Sequence, residues 1–302
     1  MSEPARLPPS VLIAGCGYAG QRAARYWRQC GARVSAITRS PNRGAEFAAA
    51  GIEPIVLDLT DPQPWPPLPD AELILWSVGY DRASGHSREA VWLSGFKGFL
   101  NSLPATANPR RFLLTSSTSV YRDRAGGDVD EDSFADPEPG QEGGRVCLQA
   151  EGLLKEFSHD HNITPVILRL AGIYGPGRLL RRLEDLRNEV PIVADPDSWL
   201  NLVHVDDITT ALDFCARHPQ PPCILNVAAA ETATRRQYYQ TLAELAGCPA
   251  PLFAPAPGGG SGRTGNRRVV SIERPRLGLK FQYEDCRSGL LQALKATPRQ
   301  TP

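Results

Sequence analysis

The sequence predicts an α/β protein: a Rossmann-type, doubly wound parallel sheet with a smaller C-terminal substrate lobe. Short apolar segments alternate with helix-like segments, which is the pattern of a parallel sheet covered by helices. A glycine-rich turn directly follows the first apolar segment. The chain has 302 residues, of which 41% are hydrophobic and 22% charged, enough for one large or two small globular domains.

The glycine-rich turn predicts a site for the phosphates of a dinucleotide. Val11–Ala14 forms a buried strand, glycines follow in the G-x-G-x-x-G spacing, and residues 21–30 form a helix. In this motif the first glycine allows a tight turn, the second lets the backbone approach a pyrophosphate, and the third lets helix and strand pack closely. The alternative is a glycine-rich turn that binds nothing. The predicted phosphate-binding residues are Gly15, Gly17, Tyr18, Ala19 and Gly20.

Two arginines follow the second predicted strand, Arg33–Ile37, where the residue that contacts the adenosine ribose is expected. In an NAD site an acidic residue about 20 positions past the glycines binds the 2′-hydroxyl. Here Arg39 and Arg43 stand in that region and no carboxylate does. Because an arginine suits a 2′-phosphate, the sequence predicts NADP(H), with NAD(H) less favoured. The alternative is that both arginines are solvated surface residues.

The remaining elements continue the alternation of strand and helix. Further strands are predicted at 54–57, 73–78, 111–115, 164–170 and 223–227, and helices at 45–50, 89–103, 146–157, 179–189, 208–217 and 233–246. An acidic loop occupies 122–145, segment 249–265 is rich in Pro and Gly, and 267–296 holds a short strand and a final helix. We expect a dinucleotide-binding domain at 1–173, completed by 201–232, and a substrate lobe at 174–200 and 233–302.

The composition argues against several classes of function. The net charge is zero, so nucleic acid is not expected as a partner. The seven cysteines are scattered without a C-x-x-C pair, which indicates reduced thiols in a cytoplasmic protein and no metal site. The stretch Met1–Ser10 lacks the apolar core of a signal peptide, and no apolar run is long enough to span a membrane.

Several landmarks occur in a recognisable order along nearly the full chain. They are the glycine motif at 15–20, Asp58-Leu59, the Ser-Ser-Thr-Ser-Val-Tyr segment at 116–121, Arg169 to Gly177, the Val-His-Val-Asp-Asp segment at 203–207, and Leu277-Gly278. With these landmarks the chain resembles the extended short-chain dehydrogenase/reductases, the NAD(P)-dependent epimerase/dehydratase family, and among them the atypical bacterial members. The resemblance implies a seven-stranded Rossmann domain that carries the cofactor and a smaller lobe that closes over a substrate.

The resemblance also implies roles for individual residues and an oligomeric state. Ser117 is expected to be the catalytic serine, hydrogen-bonded to a substrate oxygen. A homodimer is expected to form through the helices near 89–103 and 146–158. The expected cofactor contacts are Asp58 at the adenine with Leu59 beside it, Ser77, Val78, Thr115 and Ser116 along the dinucleotide, and Gly172 and Ile173 at the nicotinamide.

The sequence departs from the family at the Tyr-x-x-x-Lys pair, which supplies the acid/base and the cation that activates it. The tyrosine position holds Gly143 and the lysine position holds Cys147. A phenol of pKa about 10 needs such a cation to work near neutral pH. We take Ser117, Tyr121 and Tyr174 as the predicted catalytic residues; further substitute donors are Arg145 and Cys147.

The sequence also departs from the family at a residue that would bind the substrate. Leu200 stands four residues before His204, where members that bind nucleotide sugars carry an arginine. An anionic group of the substrate could still be bound by Arg178, Arg181 and Arg182. We expect His204 to be structural or at the rim of the site, and Asp206 to be a helix N-cap rather than a catalyst.

Two functions therefore remain open. The first is an NADP(H)-dependent oxidoreductase or epimerase-like enzyme that acts on a small polar or sugar-like substrate. The second is a non-catalytic NADP(H)-binding protein that senses redox ratio or scaffolds a partner. The missing pair favours the second, and the retained serine motif favours the first, since a fold alone does not decide function.

Overall fold

The computed structural model describes residues 6–296 except 63, 107, 109, 123, 179 and 256–264, and it describes the backbone but not the side chains at 180–182. The chain divides into two compact units. The first comprises Met1–Ser117, Glu142–Arg169 and Thr209–Leu225, and the second comprises Thr118–Gln141, Leu170–Ile208 and Asn226–Pro302. The sequence-based domain division keeps 118–141, 170–173, 201–208 and 226–232 with the dinucleotide domain instead. That division stays a prediction.

The secondary structure alternates as an α/β chain should. The strands are β1 (Ser10–Ala14), β2 (Arg33–Thr38), β3 (Glu53–Val56), β4 (Leu73–Trp76), β5 (Arg110–Ser117), β6 (Asp128–Val129), β7 (Ile163–Leu170), β8 (Gly172–Tyr174), β9 (Ile192–Val193), β10 (Trp199–Leu200), β11 (Leu202–His204), β12 (Ile224–Val227), β13 (Ala233–Thr234), β14 (Phe253–Ala254) and β15 (Arg268–Val269). The helices are α1 (Gly20–Gln29), α2 (Pro41–Ala49), α3 (Gly95–Asn101), α4 (Glu142–His159), α5 (Leu180–Arg187), α6 (Val205–Arg217), α7 (Arg235–Ala246), α8 (Glu273–Leu277) and α9 (Cys286–Ala296). Short 3₁₀ turns span Arg82–Ser84 and Thr118–Val120, and a π-helical segment spans Ala90–Ser94.

The central sheet has seven strands in the order β12-β7-β5-β4-β1-β2-β3. The pairs β1–β2, β1–β4, β2–β3 and β4–β5 are parallel. The order reverses between β1 and β4, and open α/β sheets bind ligands at such a switch point, beyond the carboxyl ends of the strands. This arrangement confirms the predicted Rossmann-type fold.

The core of the first unit explains why its strands are continuous apolar runs. All four residues of β4 are buried, as expected for a parallel strand covered on both faces. Trp76 ends that strand and packs against Phe96 and Phe99, with ring centroids 4.6 and 5.3 Å apart. Phe112 lies against Phe96 in an edge-on arrangement at 5.9 Å. This aromatic cluster anchors β4 and β5 directly below the carboxyl-end edge of the sheet.

The second unit packs helices and short strand pairs around its own core. Its strand pairs are β8–β11, β9–β14 and β6–β15, which are parallel, and β10–β13, which is antiparallel. Helix α7 begins with a capping box, in which Thr234 and Gln237 each accept a hydrogen bond from the other's backbone N–H. The buried core residues are Tyr174, Leu183, Leu186, Ile192, Tyr238, Tyr239, Leu242, Ala243, Leu290 and Ala293.

Four predicted helices begin or continue differently in the structure. Helix α2 begins at Pro41 rather than 45, with Ser40 as its N-cap. The segment predicted as one helix at 89–103 is a π-helix at Ala90–Ser94 followed by α3, and periodicity cannot reveal such a local widening. Helix α4 begins at Glu142 rather than 146, because two glycines that favour a loop are helical here. Helix α6 begins at Val205, so the expected N-cap role of Asp206 is wrong; that residue lies in the first turn. Most of the Pro/Gly-rich segment 249–265 lies outside the described residues.

Membrane-spanning helices and metal-ligand clusters are both missing from the described part of the chain. No described helix is both long and apolar enough to cross a bilayer. No three His, Cys, Asp or Glu side chains among the described residues come together as metal ligands. The cysteines are free thiols: Cys16, Cys147 and Cys215 are buried, whereas Cys30 and Cys223 are exposed.

Candidate functional site

The three glycines after β1 each meet a different steric requirement. Gly15 has a φ of +85°, and a Cβ there would overlap the backbone of Val78. A Cβ at Gly20 would lie 2.5 Å from the carbonyl oxygen of Gly15, so only glycine lets α1 begin this close to the turn. A Cβ at Gly17 would meet nothing within 4 Å. The space beside Gly17 is therefore open, as a phosphate-binding turn requires.

Helix α1 begins at this turn with a positive end that no acidic side chain neutralises. Its N-cap is Ala19, no side chain caps it, and its first turn holds no Asp or Glu. Arg22 adds positive charge nearby, because its Nη1 donates to the carbonyl oxygen of Tyr18 at 2.8 Å and its guanidinium lies 4.2 Å from the Tyr18 ring. The helix terminus is therefore suited to an anionic group.

A cavity of about 360 Å³ opens beside the glycine turn, entirely within the first unit. The predicted cofactor residues that line it are Gly15, Gly17, Arg39, Arg43, Asp58, Leu59 and Val78. The predicted cofactor residues that do not line it are Tyr18, Ala19, Gly20, Ser77, Thr115, Ser116, Gly172 and Ile173. The sequence did not point to the remaining lining residues, which are Cys16, Ile37, Thr38, Leu57, Thr60, Gly79, Tyr80, Asp81, Ser84, His86 and Val91.

The two predicted 2′-phosphate ligands reach the cavity from the end of β2 and the start of α2. The Nη2 of Arg43 donates to the carbonyl oxygen of Cys16 at 2.8 Å, which ties the arginine to the glycine turn. The Nη2 of Arg39 lies 2.6 Å from Oδ2 of Asp81. The Ala83 N–H and then Arg39 hold the pKa of the Asp81 carboxyl below its ordinary value. One of the two arginines is therefore already ion-paired, at an exposed site where solvent weakens the pair.

Asp58 follows β3 and faces the same cavity. Its Oδ1 accepts hydrogen bonds from the backbone N–H of Thr60 at 2.9 Å and from its hydroxyl at 2.7 Å. Burial would raise the pKa of this carboxyl, but the two bonds from Thr60 outweigh burial and lower it. Asp58 is therefore ionised at neutral pH and acts only as an acceptor, which suits the amino group of an adenine.

One wall of the cavity carries residues for which the sequence offers little signal. Tyr80 and Asp81 come shortly after β4, and the carboxyl ends of neighbouring parallel strands meet at one edge of a sheet. Following β4 beyond its end would therefore have found these two residues. His86 lies farther along, its Nε2 3.2 Å from the Thr60 hydroxyl, and no motif marks it.

The hydroxyls of Thr115 and Ser116 make hydrogen bonds inside the first unit. Thr115 Oγ1 donates to the carbonyl oxygen of Trp76 at 3.2 Å. Ser116 Oγ donates to Oε1 of Glu151 at 2.6 Å, and Arg169 Nη2 pairs with the other oxygen of that carboxylate at 2.7 Å. Both ions of the Glu151–Arg169 pair are buried. These contacts hold α4 against β5 and β7, while the cofactor roles of the two hydroxyls stay predictions.

Helix α4 carries the two positions of the missing catalytic pair. Gly143, Cys147 and Glu151 lie on one face, since they are spaced four residues apart. Burial first, and then the charge of Glu151, raise the pKa of the Cys147 thiol to about 12. The thiol is therefore neutral at physiological pH and cannot replace a lysine cation.

The three predicted catalytic residues fall in different units. Ser117 ends β5, half-buried, in the first unit, whereas the two tyrosines belong to the second. Tyr121 is fully buried, and its hydroxyl donates to Oδ1 of Asn226 at 2.9 Å. The hydroxyl of Tyr174 is buried without a hydrogen-bond partner among the described residues, and burial raises its pKa. The acid/base roles proposed for the two tyrosines stay predictions.

His204 is buried in the second unit, as a structural histidine would be. Its Nε2 lies 3.0 Å from Oε1 of Gln292, and its Nδ1 accepts the N–H of Asp206 at 3.3 Å. Its ring packs 4.1 Å from that of Tyr283. Because both ring nitrogens have protein partners, the ring is arranged to hold β11 and α6 in place.

The predicted substrate-lobe residues are only partly described. Leu200 pairs with Ala233 between β10 and β13, and Gly172 and Ile173 lie on β8 beside β11. Arg178 is exposed. The side chains of Arg181 and Arg182 lie outside the described residues.

A family model matches residues 11–228, from the first strand through the glycine turn, the cavity and β12; it describes the NAD dependent epimerase/dehydratase family. The chain belongs to this family. Membership agrees with a cavity at the carboxyl ends of the strands that is lined by the glycine turn and has open space at Gly17.

Relatives of this epimerase/dehydratase chain share nearly its full length. The protein YeeZ of Escherichia coli K12 is 30% identical over 284 residues, which cover 91% of this chain and 96% of YeeZ. A functionally unknown conserved protein from Silicibacter pomeroyi has a TM-score of 0.75 at 26% identity and covers 96% of this chain and 99% of its own. The UDP-glucose 4-epimerase of Thermus thermophilus, solved with NAD, has a TM-score of 0.71 at 18% identity, with 95% and 98% covered, and shows the fold alone.

Proposed function

We propose that the chain is an NADP(H)-binding, epimerase/dehydratase-like oxidoreductase that acts on a small polar or sugar-like substrate. The observation that carries this proposal is the cavity beside the glycine turn, with open space at Gly17 and with Arg39 and Arg43 in its wall. Pyrophosphate suits the turn and a 2′-phosphate suits the arginines. The free, scattered cysteines support a cytoplasmic location.

The chain's own residues would bind and orient the dinucleotide. When bound, NADP(H) supplies or accepts a hydride. The backbone at Gly17 would bind the pyrophosphate, the Asp58 carboxylate would accept a hydrogen bond from the adenine, and the two arginines would pair with the 2′-phosphate. Each contact uses a group that already faces the cavity.

Few of the predicted catalytic residues offer a group that could take part in the reaction at the substrate. Ser117 would donate a hydrogen bond to a substrate oxygen and so stabilise negative charge that develops there. Gly143 and the neutral thiol of Cys147 supply no general acid. Because a general acid/base typically contributes about 10²–10⁴ in rate, we expect slow turnover.

The substrate class rests on two considerations. A relative of the same fold is named as a UDP-glucose 4-epimerase, which supports a sugar-like substrate. Leu200, half-buried and apolar, offers no charge where an arginine would hold the phosphate of a nucleotide sugar. We therefore propose a small polar or sugar-like molecule rather than a nucleotide sugar.

Calorimetric titration of NADP⁺ and NAD⁺ tests the cofactor. Arg39→Asp should weaken NADP⁺ binding by about 1.5–3 kcal/mol, the contribution of a hydrogen bond to a charged group, and leave NAD⁺ binding unchanged or tighter, because an acidic residue here can accept from the 2′-hydroxyl. Arg33→Asp is the matched control, since this exposed arginine begins the same strand at its opposite end. NAD⁺ binding as tight as NADP⁺ binding in the wild type would refute the NADP preference.

A non-catalytic NADP(H) sensor is the second candidate, favoured by the glycine and the neutral thiol at the two expected catalytic positions. Oxidation of NADPH across small aldehydes, ketones and sugars separates the two functions. Turnover that falls in Ser117→Ala, at an unchanged dissociation constant for NADPH, supports the enzyme. No turnover with any of them, despite tight NADPH binding, supports the sensor.

A further inference from the structure

An arginine side chain occupies the space beside Gly143, at the start of α4. A Cβ on Gly143 would lie 3.7 Å from both Cζ and Nη1 of Arg88 and 3.9 Å from its Nε. These distances are ordinary van der Waals contact, so a side chain at 143 would begin directly beside the guanidinium. A fixed positive charge therefore stands at the position where the family resemblance leads one to expect a phenol.

Arg88 is held on an aromatic platform at the cavity. Its guanidinium carbon lies 4.2 Å from the ring centroid of Tyr80, a residue that lines the cavity. The Tyr80 hydroxyl in turn donates to the carbonyl oxygen of His86 at 3.2 Å, which fixes the intervening turn. Stacking of this kind positions an arginine without using its hydrogen-bond donors.

The donors of Arg88 are poorly satisfied. Nε is buried and has no hydrogen-bond partner among the described residues. The nearest carboxylate oxygen, Oε2 of Glu142, lies 3.7 Å from Nε, too far for a hydrogen bond, and the Arg88 side chain is only 24% exposed. A guanidinium carries five N–H donors, and a partly buried cation without full pairing is costly. Arg88 thus has capacity for an acceptor that the described residues do not provide.

The neighbouring acidic groups do not fill that capacity. Glu89 pairs with Arg145 at 2.6 Å, and Glu151 pairs with Arg169 at 2.7 Å. Cys147, one turn along α4, stays a neutral thiol because burial raises its pKa to about 12. Among the described carboxylates, the half-exposed Glu142 is the one that remains near the guanidinium.

We propose that Arg88 binds an oxyanion of the substrate, a carboxylate or phosphate group, beside Gly143 at the edge of the dinucleotide cavity. The inference rests on the proposed function and narrows the substrate to anionic molecules. A guanidinium grips such a group through two parallel N–H···O bonds and stays charged at all working pH values. Arg88 therefore binds and orients substrate, and it transfers no proton.

Calorimetric titration with two probes, inorganic phosphate and malonate, tests this inference at constant ionic strength. Each probe is titrated with and without saturating NADP⁺, so that binding at the cofactor's own phosphate sites is separated. We expect wild type to bind at least one probe in the NADP⁺-saturated protein, and Arg88→Gln to weaken that binding at least 10-fold. Arg33→Gln, the same charge change at the exposed start of β2, should alter it less than twofold.

A second variant keeps the test independent of the arginine's role in folding. Gly143→Asp would place a carboxylate against the guanidinium, in a helical first turn that favours acidic residues, and should abolish probe binding with Arg88 intact. Gly152→Asp, where a Cβ meets nothing within 4 Å, is its control. Probe binding that is missing in wild type, or that is the same in wild type, Arg88→Gln and Gly143→Asp, overturns the inference. If the wild type does not bind NADP⁺, the proposed function is overturned instead. The titrations without cofactor then still test the inference, because they compare probe binding by wild type with probe binding by Arg88→Gln.

Discussion

Two buried phenols of the second unit differ by one hydrogen bond. The Tyr121 hydroxyl donates to Asn226, whereas the Tyr174 hydroxyl has no partner among the described residues and lies so close to Gly289 that a Cβ there would overlap it. Leaving a buried donor unpaired costs about 1–3 kcal/mol. The sequence offers both tyrosines equally as substitute donors, because burial depends on packing between distant segments.

Tyr174→Phe is therefore expected to leave the free energy of unfolding unchanged or to raise it by about 1 kcal/mol, since it removes an unpaired polar atom. Tyr121→Phe is the matched control and should lower it by about 1–3 kcal/mol, because it leaves the Asn226 oxygen unpaired. Urea denaturation followed by circular dichroism measures both. A clear loss of stability in Tyr174→Phe would mean that its hydroxyl has a partner. A loss of turnover at unchanged stability would support the catalytic role predicted for it.

At the scale of elements, the glycines at the junction of β1 and α1 have different roles. Gly20 is required by the shape of the turn, whereas Gly17 borders the space in which a ligand would bind. Gly20 is enclosed by the turn's own backbone, and Gly17 borders open space. The same substitution at the two positions therefore has different physical consequences: steric overlap within the fold at one, and obstruction of the space outside it at the other.

Gly17→Val should fold normally and lose the rise in melting temperature that NADP⁺ gives the wild type. At 100 times its dissociation constant, a ligand adds about 2.7 kcal/mol to the free energy of unfolding, so the loss is easily measured. Gly20→Val should lower the melting temperature without any ligand, because overpacking costs about 1–3 kcal/mol. Thermal melts by circular dichroism, with and without NADP⁺, compare the pair. A folded Gly17→Val that NADP⁺ still stabilises would show that this turn is not the phosphate site.

At the scale of the whole molecule, the homodimer implied by the resemblance stays a prediction. Helix α4 and the π-helical segment carry half-buried apolar side chains, among them Trp92 and Leu93. We expect a dimeric mass by light scattering after size exclusion, and a monomeric mass for Trp92→Arg, because a twofold interface would bury the new charge in both copies. Arg33→Glu, at the exposed start of β2 and outside the two helices, is a control. A monomeric wild type at micromolar concentration would contradict the prediction.

The sequence predicted those features of the molecule that depend on residues close together along the chain. Strands such as β4 are apolar throughout because both faces are covered, and the glycine spacing reports the steric needs of a single turn. The places of Asp58 and Arg39 in the cavity wall were predictable because each follows a strand at the carboxyl-end edge of the sheet. The place of His86 in that wall, the π-helical segment, and the burial of Cys147 depend on contacts between distant segments, and no local pattern encodes those contacts.

Because Arg39 is paired with Asp81, binding of a 2′-phosphate would exchange one partner of Arg39 for another. A dinucleotide with a 2′-phosphate would have to take Arg39 from its internal counter-ion, while one with a free ribose hydroxyl would leave that ion pair in place. The preference for the phosphorylated dinucleotide would therefore be the difference between two free energies, that of Arg39 pairing with the phosphate and that of Arg39 pairing with Asp81. This preference would be smaller than the one given by an arginine without an internal counter-ion. The same carboxylate also accepts the N–H that starts the 82–84 turn. Under the proposed function, Asp81 would thus set both how strongly the phosphate is preferred and how firmly the adjoining segment is fixed before the cofactor binds.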